Sequence, residues 1–182
     1  GPESTVRGSF RLLQLWLTLP AASRWTEPDH QIIRAADAPV RREPGVEVRL
    51  YSGATGDLVS PTRNRVPVTL VDVHLAPGAR VEQQLPASYN GFSYVIDGVA
   101  TAGGVELRPG QVGWLDRPTV TGATTLAIAN PGPEPARVLL YAGEPQGGSL
   151  VSYGPFIGDT PEDIVRSIER YRAGTFRSYT MP

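Results

Sequence analysis

Glycine and proline divide most of this chain into short segments, and that spacing limits its fold more than any other sequence feature. The 182 residues include 20 Gly and 18 Pro, and the segments between them are rich in Val, Leu, Thr and Tyr. Both residues disfavour the interior of a helix and are common in the turns that join strands. Many short strands separated by turn residues are typical of an all-β sandwich or barrel.

The predicted strands begin with a nearly continuous apolar segment. It covers Phe10 to Leu19, and we expect a buried strand that ends at Pro20. The dipeptide Asp97-Gly98 predicts a hairpin whose returning strand starts at residue 99. The other predicted strands cover residues 46–51, 66–75, 80–85, 91–96, 99–102, 105–107, 112–115, 122–129 and 136–141. In the strand at 66–75, the residues expected to face inward are Thr69, Val71, Val73 and Leu75.

A single helix is predicted near the end of the chain, outside the sheet. Thr160 is its N-cap, Pro161 takes the first helical position, and Asp163 completes a capping box. Gly174 is expected to stop the helix. Helical spacing also predicts an apolar stripe and one i,i+4 ion pair. The stripe consists of Ile164, Val165, Ile168 and Tyr171, and the pair consists of Glu162 and Arg166.

The composition excludes several classes of function. A net charge of −1 at pH 7 provides no field for nucleic acid or an anionic membrane, and no apolar run is long enough to span a bilayer. The absence of cysteine excludes disulfides, thiolate metal sites and cysteine nucleophiles. All 17 basic residues are Arg, which indicates a GC-rich, bacterial coding sequence. We therefore expect a cytoplasmic protein with no nucleic-acid or membrane partner.

Six strings, in order and covering nearly the whole chain, resemble the C-terminal half of the pirin-like family, a branch of the two-domain cupins. They are LQLWLTLPAA (13–22), LVDVHLAPGA (70–79), YNGFSYVIDG (89–98), YAGEP (141–145), SYGPFIGDTPEDI (152–164) and IERYRAGTF (168–176). The resemblance implies a cupin-type β-barrel of the jelly-roll kind with one α-helix packed outside it.

The resemblance also implies a division of labour between two barrels in one chain. The N-terminal barrel of the family holds a metal, usually iron, through three His and a Glu, and some members have quercetin-dioxygenase-like activity. The LQLW string normally marks the passage out of that barrel, so we expect the metal-carrying barrel to be missing here. The predicted organisation is a cleavage scar and linker at 1–9, an inter-domain strand and connection at 10–45, and the barrel at 46–182 with its terminal helix at 159–174.

The cupin motif predicts where metal ligands should stand in this barrel. The first motif of metal cupins reads His-x-His, then Glu, then a Tyr-Val-Leu-x-Gly strand, for which 94–98 is the counterpart. The two His positions then fall on Gln84 and Pro86, the Glu position on Gly91, and the last His near Thr121. Because none of these residues is an imidazole or a carboxylate, we expect neither a metal nor another cofactor.

Two histidines remain, and neither is predicted to form a site. His30 lies in the early connection and is expected to be exposed or to pack against neighbours. His74 lies on the strand face opposite Val71 and Val73, where a solvent-facing histidine is expected. Asp72 and His74 share that face and supply two potential ligands, but the sequence suggests no third. The three tryptophans, Trp16, Trp25 and Trp114, are expected in the core or between domains.

Strand parity predicts that Gln84, Ser93 and Thr121 point into any cavity inside the barrel, and the alternative is a barrel filled with side chains. The leading functional hypothesis is a domain that is non-catalytic alone and that pairs with an N-terminal pirin-like cupin domain, or with a second copy of itself. One alternative is a metal-independent enzyme of the isomerase or cyclase type in bacterial secondary metabolism. Another is a regulatory module that binds a small molecule.

Overall fold

A computed structural model describes residues 11–116 and 120–175, which fold into two antiparallel sheets packed face to face. The strands, numbered in chain order, are β1 (Val40–Glu43), β2 (Val46–Ser52), β3 (Ala54–Thr55), β4 (Leu58–Val59), β5 (Val68–Leu75), β6 (Arg80–Pro86), β7 (Asn90–Asp97), β8 (Ala100–Ala102), β9 (Val105–Leu107), β10 (Val112–Trp114), β11 (Ala123–Ala129), β12 (Ala136–Gly143), β13 (Val151–Tyr153) and β14 (Phe156–Gly158). The helices are a 3-10 turn at Ala21–Ser23 and α1 at Pro161–Arg172.

The larger sheet has six strands in the order β1-β2-β5-β12-β7-β10, and the smaller has four in the order β6-β11-β8-β9. Neighbours in space are mostly distant in sequence, as in a jelly roll. Two further hairpins, β3-β4 and β13-β14, lie outside these sheets. This arrangement confirms the predicted all-β, cupin-type fold with one C-terminal α-helix.

The space between the two sheets is filled by alternate side chains of both. In β5 the four residues expected to face inward are all buried, and β6 alternates strictly between exposed and buried positions. The core combines Val, Leu and Ile from both sheets, and its fully buried members include Leu50, Val73, Val95, Ile128 and Leu140. The interior at this level is a packed apolar core, as in other small barrels.

The predicted hairpin at Asp97-Gly98 is wrong. The chain does turn there, with Gly98 at φ +74°, but β8 does not return along β7. Instead, β7 pairs with β12 and β10 in the larger sheet, whereas β8 pairs with β9 and β11 in the smaller. A dipeptide signal reports the local reversal of the chain, and the sandwich decides which strand receives the returning segment.

The buried strand predicted at Phe10 to Leu19 is also wrong. Phe10 and the linker at 1–9 lie outside the described residues, and residues 11–20 contain no strand. Their large apolar side chains are exposed, with Leu12 at 77% and Trp16 at 62%. An apolar run predicts a strand only where a neighbouring strand is present to pair with it.

The helix begins as predicted. The Thr160 side chain accepts from the backbone N–H of Asp163, and the Asp163 carboxylate accepts from the backbone N–H of Thr160. The chain turns out of the helix at Gly174, whose φ is +66°. The helix packs against the β13-β14 hairpin, outside the two sheets.

The details of the helix differ from the prediction. Its buried residues are Ile164 and Ser167, whereas Val165 and Tyr171 of the predicted stripe are exposed, because the two-stranded hairpin covers only a narrow face. Arg166 pairs with Asp163 at 2.7 Å rather than with Glu162.

Four short strands and one longer edge strand were not predicted. The short ones are β3, β4, β13 and β14. The edge strand β1 pairs with β2 from Val40 onward, so the larger sheet starts before the boundary expected at residue 45. No helix among residues 11–116 and 120–175 is long and apolar enough to cross a bilayer.

Candidate functional site

The inward positions on β6 differ by one residue from those predicted. Gln84 and Pro86, the expected counterparts of the His-x-His pair, are exposed on the outer surface. Gln83 and Leu85 are buried and face the core instead. The prediction that Gln84 points into the barrel is therefore wrong, and Gln83 and Leu85 occupy the positions from which a ligand would point inward.

The other expected ligand positions also lack a donor. Gly91 approaches β12 so closely that a Cβ atom there would lie 1.9 Å from the carbonyl oxygen of Tyr141, so a glutamate does not fit without moving the backbone. Thr121, near which the last histidine was expected, is exposed and does not point into the barrel. Ser93 is fully buried on the same face of β7 as the core residue Val95, and its place in a cavity stays a prediction.

The polar groups inside the barrel are neutral and few. Gln83 is 1% exposed, and its amide donates to the Thr55 hydroxyl and to the carbonyl oxygen of Gln84. Among the described residues, neither Gln83 Oε1 nor Ser93 Oγ has a hydrogen-bond partner. Gln83 and Ser93 lie on opposite sheets, each five residues from Ser88 in the turn that joins β6 to β7.

An iron, nickel or copper centre does not fit this donor set. Such metals are held in proteins by imidazole, carboxylate or thiolate groups, and the buried polar groups at the inward positions of β5, β6 and β7 are the hydroxyls of Thr69 and Ser93 and the amide of Gln83. Within residues 11–116 and 120–175, no three His, Cys, Asp or Glu side chains are placed to share a metal ion.

A cavity of about 380 Å³ opens at the mouth of the barrel, beside Leu85. Of the described residues that line it, only Asp116 is charged. Burial raises the pKa of the Tyr89 phenol, so Tyr89 remains a hydrogen-bond donor at neutral pH. The lining consists of Leu85, Pro86, Tyr89, Ala102, Gly103, Val105, Gly113, Trp114, Leu115, Asp116, Thr124, Thr125 and Leu126.

The outer face of the larger sheet carries a charged cluster around Asp72, whose side chain is only 1% exposed. Arg137 holds this carboxylate with two hydrogen bonds, from Nε at 3.0 Å and from Nη2 at 2.7 Å. His74 Nε2 lies 3.2 Å from the same carboxylate, and its side chain is 44% exposed. These contacts show that Asp72 is committed to an ion pair, which leaves the Asp72/His74 pair unsuited to a metal.

Neighbouring groups enclose this ion pair. The hydrogen bonds that Arg137 donates to the Asp72 carboxylate raise the pKa of Arg137. Burial raises the pKa of Tyr51, and the nearby Asp72 carboxylate raises it further. On the adjoining strand, a hydrogen bond from Arg49 lowers the pKa of Glu47.

His30, the other histidine, is exposed in the early connection as expected.

The three tryptophans lie on the surface, so a place in the core is wrong for them, and the alternative place between domains stays a prediction. Trp114 is 77% exposed and packs edge-to-face against Phe92, with ring centroids 5.5 Å apart. Trp25 lies under the guanidinium of Arg166, which is 3.9 Å from the ring centroid. Trp16 lies in the exposed segment before Pro20. The structure places aromatic side chains where another surface can cover them.

Two residues of these sites were missed from sequence. The burial of Gln83 could have been predicted, because it alternates with the apolar residues Val81 and Leu85, which identify the buried positions of β6. Arg137 had none, because its contact with Asp72 depends on β12 pairing beside β5, which local sequence does not reveal.

Comparison with known proteins identifies the family of this chain. Residues 70–177 match the model of the pirin C-terminal cupin domain. Pirin-like protein 2 of Arabidopsis thaliana is 32% identical over 167 residues, which are 89% of this chain and 51% of that protein. A putative quercetin 2,3-dioxygenase of Pseudomonas aeruginosa is 29% identical over 171 residues, 93% of this chain and 58% of its own length.

A crystal structure of the protein GK1651 from Geobacillus kaustophilus superposes with a TM-score of 0.69 at 40% identity. The match covers 72% of this chain and 53% of that one. This chain thus spans about half the length of the relatives it matches.

Proposed function

The chain belongs to the pirin family, as its C-terminal cupin domain, and from that premise we propose that it is a metal-free domain, non-catalytic alone, that pairs with a metal-binding cupin domain. The matches cover 51% and 58% of these two relatives, which leaves room in them for a second barrel. The partner we propose is such a barrel, on which the quercetin-dioxygenase-like chemistry named for the Pseudomonas aeruginosa relative would take place.

One observation carries this proposal: inward-facing ligand positions hold side chains that do not bind transition metals. Leu85 and Gln83 stand on β6, and the Gly91 position cannot accept a carboxylate without a clash against Tyr141. The core next to these positions is packed with aliphatic side chains. Such an interior stabilises the fold and offers no reactive group.

Elemental analysis tests the metal-free assignment. The chain is purified from cells supplied with iron, nickel and copper salts, dialysed, and compared with the Pseudomonas aeruginosa relative treated in the same way. We expect far less than one metal ion per chain and no oxidation of quercetin by the chain alone. One equivalent of iron, nickel or copper that survives dialysis contradicts the proposal.

The pairing is tested separately by mixing. The probe is the portion of the Pseudomonas aeruginosa relative that lies outside its match to this chain. We expect light scattering to show a one-to-one complex, and we expect the complex to unfold at a higher temperature than either part. Two independent peaks at micromolar concentrations contradict the pairing.

A second candidate function rests on the cavity at the mouth of the barrel. Its apolar walls, together with the Tyr89 phenol, suit a small neutral molecule that accepts a hydrogen bond. Quercetin is a suitable probe. If this function holds, quercetin raises the melting temperature of the chain, and Leu126→Trp, which fills the cavity, abolishes the rise. An unchanged melting temperature excludes quercetin as a ligand at this site.

A further inference from the structure

The β13-β14 hairpin and helix α1 form a unit, residues 151–172, that shares no backbone pairing with the sandwich. The two strands pair with each other in a sheet of their own. The last backbone hydrogen bond before this hairpin-helix unit is donated by Glu144 to the carbonyl oxygen of Pro67, at 2.9 Å. Within the two described ranges, the backbone hydrogen bonds of residues 145–175 stay inside that part of the chain.

The hairpin-helix unit is too small to be stable by itself. Helix α1 has 12 residues, of which Ile164 and Ser167 are buried. A helix of about 12 residues and an isolated two-stranded hairpin are each marginally stable in water. The unit therefore depends on the surface against which it rests.

That surface is formed by residues 24–28 of the early connection. Arg24 Nη1 lies 2.9 Å from Asp159 Oδ1, and the two side chains are only 12% and 21% exposed. The Cζ atom of Arg166, on α1, lies 3.9 Å from the centroid of the Trp25 ring. The cation–π contact is attractive, and the ion pair is shielded from much of the screening that weakens surface pairs. We name these two contacts the latch.

The latch closes over a cavity of about 380 Å³ between residues 24–28 and the hairpin-helix unit. The wall formed by the connection is held on the sandwich, because Gln31 and Arg63 exchange two hydrogen bonds of 2.7 Å each. That wall can stay in place when the opposite wall moves. The opposite wall consists of Pro155, Phe156, Ile157, Ser167 and Arg170.

The segment that leads into the unit offers a place to swing. Residues 144–150 lie between β12 and β13, and residues 147–150 are exposed. Gly147 has φ +63°, and a Cβ atom added there would meet nothing within 4 Å. Since glycine changes its backbone angles at low cost, rotation at Gly147-Gly148 moves the unit without disturbing a strand of either large sheet.

We propose that the hairpin-helix unit is a lid, which swings at Gly147-Gly148, is held closed by the latch and opens onto the cavity while both large sheets stay folded. The balance between closed and open forms is then set by the contacts of Arg24 and Trp25 rather than by the apolar core. This inference is independent of the metal-free assignment and of the proposed pairing.

Hydrogen exchange measured by mass spectrometry on the full chain tests the lid. Because the unit is marginal without its supporting surface, opening also loosens its helix. We expect amides of β14 and α1 to exchange at least tenfold faster in Arg24→Gln than in the wild-type chain, and amides of β5 and β12 to exchange at the same rate in both. Arg34→Gln, an exposed position in the same connection, is the matched control and should leave both rates unchanged.

Exchanging the charges of the latch tests whether the ion pair itself holds the lid. Arg24→Asp and Asp159→Arg should each speed the exchange of α1, because each places two like charges together. The double variant Arg24→Asp/Asp159→Arg restores an opposite pair and should recover most of the protection. A double variant that exchanges as fast as the single variants contradicts a latch made by this pair.

A distance measurement separates movement of the lid from unfolding. The sequence contains no cysteine, so spin labels can be attached at introduced cysteines alone. The lid is reported by Val105→Cys with Val165→Cys, and the sandwich by Val105→Cys with Arg42→Cys, all at exposed positions. In the Arg24→Gln background we expect a second, longer distance for the lid pair and one unchanged distance for the sandwich pair.

Two results overturn the lid. One is a single lid distance in Arg24→Gln together with unchanged exchange of α1, which would mean that the unit stays in place without the latch. The other is faster exchange of β5 and β12 in step with α1, which would mean that the unit opens only when the sandwich unfolds.

Discussion

The inner and outer faces of the six-stranded sheet are formed by the same strands, yet their chemistry is opposite. On β5, Val71 and Val73 point into an apolar core, whereas Asp72 between them holds an ion pair on the other side. On β12, Leu140 faces the core and Arg137 faces outward. The inner face lacks the imidazole and carboxylate groups that bind the metal in a metal cupin. The outer face carries charged side chains and exposed aromatic rings. The difference indicates that the inner face serves stability, and we propose that the outer face serves contact.

The largest expected effect comes from truncating the inner face. Leu140→Ala removes a fully buried side chain between the two sheets and should cost about 2–5 kcal/mol of unfolding free energy. Leu139→Ala, the adjacent residue on the outer face, is the matched control and should cost less than half as much. Urea denaturation of both variants measures the difference. Equal losses would mean that the outer face is as tightly packed as the core.

The ion pair between Asp72 and Arg137 is the part of the outer face whose loss should lower the unfolding free energy nearly as much as the loss of a core side chain. Among the described residues, Arg137→Met leaves His74 as the remaining ion-pair partner of the buried Asp72 carboxylate. It should cost about 2–3 kcal/mol, because water reaches part of the site. Asp72→Leu leaves the half-exposed Arg137 free to turn toward solvent and should cost less. The double variant Asp72→Leu/Arg137→Met should recover much of the loss, as measured by a double-mutant cycle. Additive losses would show that the two groups do not act as a pair.

The contact of Gly91 with β12 should be intolerant of any side chain. A Cβ atom would meet the carbonyl oxygen of Tyr141 at 1.9 Å, so Gly91→Ala should cost about 1–3 kcal/mol by forcing the strands apart. Gly148→Ala is the control, because its nearest contact is an ordinary 3.9 Å. Thermal unfolding compares the two. A neutral Gly91→Ala variant would reopen this position to a carboxylate ligand.

The smallest expected effect is on the loss of stability at low pH. The hydrogen bond from Arg49 lowers the pKa of Glu47 below its usual value in the folded state. Glu47 therefore contributes stability above the pKa of an unfolded glutamate, and that contribution is lost as pH falls through the folded value. Denaturation between pH 7 and pH 3 should show a shallower acid loss in Glu47→Gln. The inner-face variant Val73→Ala, which removes no charge, should lower stability by the same amount at every pH, and a change in its acid slope would contradict this separation of the faces.

Much of the fold was predictable because its signals are local. Turn residues, the alternation of β5, and the Thr160 and Asp163 capping box each depend on a few neighbouring residues, and each is present as expected. The strand predicted from the apolar run before Pro20 was wrong because strand formation needs a partner strand. The hairpin predicted at Gly98 was wrong because a turn does not specify which sheet the chain enters next.

Some features of the candidate site could likewise be predicted from the sequence, and others depend on the tertiary structure. The sequence by itself determined that this is a pirin-like cupin whose ligand positions lack imidazole and carboxylate, since that conclusion holds in either register of β6. Only the tertiary structure decided that Gln83 rather than Gln84 points inward, that Arg137 pairs with Asp72, and that residues 12–17 are exposed. The physical reason is that residue identity is fixed along the chain, whereas burial and pairing depend on which strands become neighbours in space.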